Sequence, residues 1–370
     1  MTNTEKVFLA LLRAGLWEQE VFLQPYEPVD FNAVYKLAEE QSVTGLIAGG
    51  IEQIKDIRLK KLEVRPFLIK SISIERRNSS MNEFVSWLFK RLREEGISPV
   101  LVKGQGVAQC YARPQWRAAG DIDLFLSDSD YSKSKEVLKP ISTSVDDEVA
   151  VKKHIGMQLS GFEVELHGTL KALISNRWDK CLADIQDDIF NMREVRTWNN
   201  DGVDIYLPKA DNDIVLIFSH FLKHFYKGGI GLRQVCDWCR LIYTYHDSIN
   251  IHLLGARLQR MDVMPEWKAF ASLAVDYLGM PKEFIPFYEK SRGNSRKASQ
   301  ILSIIFETGN FGHNKDTSYY RKHSYLIIKF ISFFRWVKEY ARSFIIFPRN
   351  TLRVFWRMLT FGLSVTAQGK

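Results

Sequence analysis

Apolar residues recur at intervals of three and four from the N-terminus to about residue 95: Phe8, Leu11, Leu12 and Leu16, then Val34, Leu37, Ala38 and Leu46. That period belongs to helices with one buried face. A longer helix is expected from about Pro66 to Glu95, with Phe84, Trp87, Leu88 and Leu92 on one face and Gly96 as its stop. The period then changes. The run from Ser98 to Lys103 reads as a strand entering a turn at Gly104-Gln105-Gly106, and a helix is expected to start over Val107 to Tyr111. After a loop from Arg113 to Gly120, Asp121-Ile-Asp-Leu-Phe-Leu126 reads as a second strand. Ser127, Asp128 and Ser129 offer caps to a helix over Tyr131 to Leu138. Segments 152–160 and 162–170 form an expected hairpin turning at Ser160-Gly161, and 196–208 another turning at Asn199 to Gly202. From Asp211 onward the period is helical again, over 214–226, 232–245, 253–261, 267–278 and 299–306.

This order predicts an α+β protein. A small mixed β-sheet core (96–210) is embedded in an N-terminal helical segment (1–95) and a C-terminal helical domain (211–310), with a helical tail (311–370). The length of 370 residues suits two domains and an appendage. Hydrophobic residues at 46% and charged residues at 25% exclude a long disordered chain, and no repeat or low-complexity tract appears. Four cysteines are too few for a disulfide scaffold, so a reducing, cytoplasmic setting is expected. No run approaches the roughly 20 apolar residues of a membrane span. The short run Val7 to Leu12 ends at Arg13 without a small-residue cleavage site, so neither export nor membrane threading is expected.

Three segments carry candidate chemistry. Aspartate is disfavoured in strands, yet Asp121 and Asp123 alternate with Ile122, Leu124 and Leu126. Period two puts both carboxylates on one face, where they repel unless a cation sits between them. An isolated pair of this kind is more often a solvent-facing strand. Asp128/Asp130 and Asp211/Asp213 share the spacing but lie at helix starts, where capping explains them. The second segment, Leu101 to Gly106, is a strand entering glycines, a turn that lets backbone N–H groups approach a phosphate. It matches neither the Walker loop nor the dinucleotide fingerprint. In the third, Phe162-Glu-Val-Glu-Leu-His167, alternation places Glu163, Glu165 and His167 opposite Phe162, Val164 and Leu166, so a third carboxylate can join the first two.

Together these segments resemble the DNA polymerase beta-type nucleotidyltransferase superfamily. More narrowly, Lys103-Gly104, Tyr111, Arg117-x-x-Gly120-Asp-Ile-Asp-Leu124, Val164-Glu-Leu-His167 and Gly231-Leu-Arg-Gln-Val-Cys-Asp-Trp238 are similar to a bacterial nucleotidyltransferase-like family often associated with polysaccharide loci. The resemblance covers about residues 5–280 and is strongest from Lys103 to Leu126. It departs from the general superfamily at the turn, which is Gly104-Gln105 and lies 17 positions before Asp121. The resemblance implies Mg²⁺ or Mn²⁺ held by Asp121, Asp123 and Glu165, with Glu165 as ligand or base. It also implies transfer of a nucleoside monophosphate from a nucleoside triphosphate to a hydroxyl acceptor.

Lys103, Gly104, Arg117 and His167 are the further candidates for the nucleotide side of such a site. A guanidinium in the loop before the acids suits bidentate phosphate binding. Arg233 and Asp237, four residues apart, read as a plain helix ion pair that the resemblance raises to substrate-side candidates. His220 and His224 share a helix face, but with no third ligand they read as packing histidines, and Cys236-x-x-Cys239 lacks a second pair. His154 reaches the site only if the hairpin register sets it beside His167.

The net charge of +8 resides in the tail: Thr317 to Lys370 holds ten bases and one acid, and the preceding residues 41 bases and 42 acids. Aromatic and aliphatic residues interleave with these bases from Tyr319 to Met358, and Pro348 divides the segment into two helices. Packing on the body is the first reading, an anionic membrane surface the second, nucleic acid the third. The competing function is a peripheral membrane or scaffold protein with a degenerate nucleotidyltransferase module.

Overall fold

The computed structural model describes residues 1–310, 337 and 340–367. The helices are α1 (Asn3–Trp17), α2 (Phe31–Glu40), α3 (Thr44–Ile51), α4 (Lys61–Glu94), α5 (Gly104–Ala108), α6 (Asp128–Leu138), α7 (Asn176–Phe190) and α8 (Ala210–Lys227). Further along lie α9 (Leu232–Tyr245), α10 (Ile251–Met261), α11 (Met264–Asp276), α12 (Arg292–Thr308) and α13 (Pro348–Ala367). Strands β1 (Val100–Val102), β2 (Ile122–Phe125), β3 (Ser144–Val145), β4 (His154–Leu159) and β5 (Phe162–His167) form one sheet in the order β1-β2-β5-β4-β3. Only β2 and β5 run parallel, so the sheet is mixed. β6 (Val195–Asn200) and β7 (Val203–Pro208) form a separate hairpin. This is an α+β fold.

Strand alternation gives the sheet two chemically different faces. Leu101, Ile122, Leu124, Val164, Leu166, Ile155 and Met157 share a core with Met81, Phe84, Val85, Leu88 and Phe89 of α4. A 34-residue helix covers that face. The opposite face carries Asp123, Glu165, His154 and His167 and looks toward α8. A larger core joins the N-terminal helices to α8, α9, α11 and α12. Here Trp17 Nε1 donates to the Leu278 carbonyl at 2.6 Å and Arg13 Nε to that of Tyr277 at 2.7 Å.

Several expectations are corrected. α4 begins at Lys61, so Pro66 lies inside the helix rather than at its start. Trp87 is 44% exposed, stacking on Phe84 at the edge of the buried stripe. The glycine turn is itself helical, because α5 starts at Gly104 rather than Val107. Asp211 and Asp213 do not cap α8: Asp211 accepts from the Asn250 N–H at 2.7 Å, and buried Asp213 pairs with Arg196 at 2.7 Å. Helix α7 and strand β3 have no counterpart in the sequence reading. Of the tail expectation, 311–336, 338–339 and 368–370 lie outside the described residues. Residues 340–346 and α13 are helical and meet at Phe347-Pro348. Tyr340, Ile346, Phe347 and Val354 are buried against the body.

Candidate active site

The site is built at one end of the parallel pair. Register sets Asp123 opposite Glu165 across β2 and β5, and Val102 of β1 opposite Asp123 on the other side. Asp121 precedes β2 and completes a cluster in which one oxygen each from Asp121, Asp123 and Glu165 lie within 4.8 Å of one another. Ser160 and Gly161, both at positive φ, close the β4–β5 hairpin in two residues. That turn fixes the register His154↔His167. His154 Nε2 therefore reaches Glu165 Oε2 at 3.1 Å, and His154, Glu165 and His167 form a second cluster of the same compactness.

Two basic side chains offset part of the charge of the cluster. Lys103 Nζ lies 2.7 Å from Asp123 Oδ1, and His167 Nε2 lies 2.7 Å from the same oxygen and 3.3 Å from Glu165 Oε2. Burial alone would raise Asp123, but Lys103 and His167 outweigh it and hold its carboxyl below the usual range. Burial likewise opposes ionisation of Glu165, and hydrogen bonds from His154 and His167 override it, driving its carboxyl well down. His167 is raised because its hydrogen bonds to Asp123 and Glu165 outweigh burial. Asp121 behaves differently. The neighbouring Asp123 charge and then burial push it up, and Lys103 compensates only in part. Lys103 has φ +60° and ψ −144°, a region ordinarily left to glycine. This strained backbone aims its ammonium into the carboxylates.

The loop before Asp121 is pinned from two sides. Asn78 of α4 donates to the carbonyls of Gln115 and Arg117 at 2.7 and 2.8 Å, and Arg233 Nη1 to that of Ala118 at 2.8 Å. Arg117 is buried, with Nε and Nη2 on the two oxygens of Asp237 at 3.0 and 2.6 Å. Tyr111 Oη donates to Asp237 at 2.7 Å. The expected Arg233–Asp237 ion pair is thus replaced by Arg117–Asp237, and Arg233 Nε is buried without a hydrogen-bond partner. Burial, then the charge of Arg117, push the Arg233 guanidinium down.

Two cavities adjoin the carboxylates. The larger, about 310 Å³, is lined by Asp121, Glu165, His167, Lys152, Lys223 and His224 among others. The smaller, about 60 Å³, is lined by Gly104, Arg117, Gly120, Asp123, Arg233 and Asp237. Lys103, Asp121 and His220 border both. His220 and His224 are therefore cavity-wall residues, correcting the packing assignment. Burial lowers both, His224 to about 3, so both are neutral near pH 7. Sequence reading missed Lys152, Lys171 and Lys223. For Lys223 the available signal was the polar stripe His220, Lys223, His224 within the mostly apolar stretch from Ile214 to Phe225 of α8. Cys236 and Cys239 are buried free thiols.

Three converging oxygens with an incompletely compensated negative charge suit a hard divalent cation. The three segments with candidate chemistry and the Arg233–Asp237 helix all meet here. No curated protein and no solved structure matches the chain. Residues 27–279, well over half of it, match the model of a family described as uncharacterised nucleotidyltransferase. The span includes the glycine turn, both aspartates, the Glu-Leu-His strand and the Arg233–Asp237 helix, and the chain belongs to this nucleotidyltransferase family.

Proposed function

We propose that the protein is a metal-dependent enzyme of DNA polymerase beta type, transferring a nucleoside monophosphate from a nucleoside triphosphate to a hydroxyl acceptor. The observation that carries this is the convergence of Asp121, Asp123 and Glu165 within 4.8 Å across a parallel strand pair. Those three carboxylates would hold Mg²⁺ or Mn²⁺, which when bound neutralises phosphate charge and activates the attacking oxygen. The hydroxyl oxygen forms a bond to the α-phosphorus, the bond to the β-phosphate oxygen breaks, and pyrophosphate leaves. The hydroxyl proton passes to a carboxylate of the cluster or to water. Glu165, held strongly ionised by two histidines, is a weak Brønsted base and suits a ligand role better than that of base. Its cavity is the acceptor's side.

Lys103 and Arg233 are the cations placed to meet donor phosphates beside Gly104, and His167 orients Asp123 and Glu165 together. Arg117 and Asp237, committed to each other, position the loop that carries Asp121. Sparse, unpaired cysteines and the absence of any described helix long and apolar enough to cross a membrane accord with a cytoplasmic enzyme. The family resemblance adds polysaccharide assembly as a setting. A contact of the tail with an anionic membrane face is a second reading of that segment. It is favoured by exposed Phe344, Ile345, Leu352 and Trp356 beside Arg349.

The test is incubation with each α-labelled nucleoside triphosphate, divalent metal and cell extract, comparing the parent with Asp121→Asn. Metal-dependent label transfer should fall by at least about a hundredfold. The fold should hold, because relief of Asp121–Asp123 repulsion leaves stability equal or slightly higher. Undiminished transfer by a folded Asp121→Asn protein would sink the assignment.

A further inference from the structure

The larger cavity contains more positive charge than a neutral acceptor alcohol requires. Lys152 of the 150–152 turn and Lys223 of α8 are both half-buried in its wall, and Lys171 stands exposed at its margin. Lys227 follows one turn after Lys223. None of the four has a carboxylate partner or a side-chain hydrogen bond among the described residues. Buried charge is costly unless paired. Lys223 registers the cost: burial, then the charges of Lys152, Lys227 and Lys103, push its ammonium down to about 7. Lys227 is lowered for the same reasons, burial and then Lys152. Of the acids lining the same cavity, Glu165 is already met by His154 and His167, and Asp121 is offset in part by Lys103. An arrangement that keeps unpaired lysines around a cavity of about 310 Å³ fits an anionic occupant.

The two cavities differ in their linings. Glu165, Lys152, Lys171 and Lys223 line the larger only, whereas Gly104, Arg117 and Arg233 line the smaller only. We infer that the acceptor is itself an anion, a hydroxyl compound carrying a phosphate or similar group, and that Lys152 and Lys223, with Lys171 at the margin, bind that group. This rests on the nucleotidyl-transfer reading, which puts the attacking hydroxyl on the Glu165 side. The lysines then select the acceptor and hold its hydroxyl toward Asp121 and Glu165.

The test uses the full chain and inorganic phosphate, titrated calorimetrically with and without Mg²⁺ and each of the four non-hydrolysable nucleoside triphosphate analogues. Phosphate should bind both alone and beside the analogue. Lys152→Gln and Lys223→Gln should each weaken it about tenfold or more while leaving analogue affinity within about twofold. Removing an unpaired charge should not unfold the protein, which thermal melts of the two variants verify. Phosphate binding that is absent, or unchanged in both variants, overturns the inference. So does displacement of phosphate by the analogue together with an equal loss of analogue affinity in the variants, which would give the lysines to the donor triphosphate. A chain that binds phosphate but no analogue would overturn the premise instead, since the anion site would then serve no transfer.

Discussion

Both oxygens of Asp237 are committed to Arg117, with Tyr111 as a third donor, and both charged side chains are buried. Burying an ion pair gains little net stability, but breaking one strands a charge. Arg117→Ala is therefore expected to cost about 3–5 kcal/mol in denaturant unfolding. The Arg117→Ala/Asp237→Ala double variant should recover part of that loss, whereas simple additivity would mean that the pair is not coupled. Lys223 supports a prediction of the opposite kind, about binding rather than folding. It faces Lys152, Lys227, Lys103 and Glu165, with His220 and His224 on its own helix, and its ammonium is pushed down to about 7. A depressed lysine is charged below its pKa and neutral above it, so an anion is held better on the acid side. Burial lowers both helix histidines, whereas His167, in the same cavity, is raised by Asp123 and Glu165 and adds its own acid-side charge to parent and variant alike. Sulfate keeps one charge state between about pH 6 and 9, and its affinity should fall as pH rises through about 7 and beyond, because the bound anion itself lifts the lysine. In Lys223→Gln the pH profile should flatten; an unaltered slope would move the titration to another group.

At the scale of elements, α13 is fastened by polar contacts as well as by its buried residues. Asn350 donates to the Asp262 carbonyl and to Glu266 Oε1, both at 2.7 Å, and Arg357 pairs with Asp179 at 3.1 Å. Glu266 is 2% exposed, so Asn350→Ala deprives a buried acceptor and is expected to destabilise by about 1–3 kcal/mol in chemical denaturation. A change below a few tenths would mean that the apolar contacts alone seat the helix. The site strands were legible in sequence for a related reason: period two leaves one choice of face, and Asp121, Asp123, Glu165 and His167 follow from it. A two-residue turn fixed the hairpin register that brings His154 in. Trp87 was misplaced because it sits about 60° from Phe84 around α4, where the stripe meets solvent. Helix α7 carries Trp178, Cys181, Leu182, Ile185 and Ile189 at helical spacing, but the polar residues between them mask the stripe. Of the cavity wall only the polar stripe on α8 was signalled, and its destination was not. Nothing local to α8 says which sheet face it will cover, and only tertiary packing turns His220, Lys223 and His224 toward the carboxylates.

Across the whole molecule, charge is distributed in opposition to chemistry: the body is nearly neutral and the tail strongly basic. Part of that basicity is neutralised locally, by Arg342 with Glu307, Arg353 with Asp262 and Arg357 with Asp179. Arg349, Leu352 and Trp356 form a stripe at helical spacing on α13, with side chains or residues 76%, 46% and 62% exposed. Phe344 and Ile345 add exposed apolar surface just before it. Arg321, Lys322, Lys329 and Arg335 supply further charge along the sequence. A basic residue near an anionic lipid surface contributes about 1 kcal/mol, and salt screens it. The protein is therefore expected to sediment with phosphatidylserine-containing vesicles at low salt, to release as ionic strength rises, and to ignore purely zwitterionic vesicles. Deleting 317–370 would also remove buried Ile346, Phe347 and Val354, so the sharper variant is Leu352→Ser/Trp356→Ser, which keeps those three buried side chains and gives up the edge contact of Trp356 with Phe355 on the packed side. Its affinity for anionic vesicles should drop several-fold with melting unchanged. Equal sedimentation by parent and double variant would mean that the stripe does not enter the lipid, and equal sedimentation after deletion that the tail has no part in it.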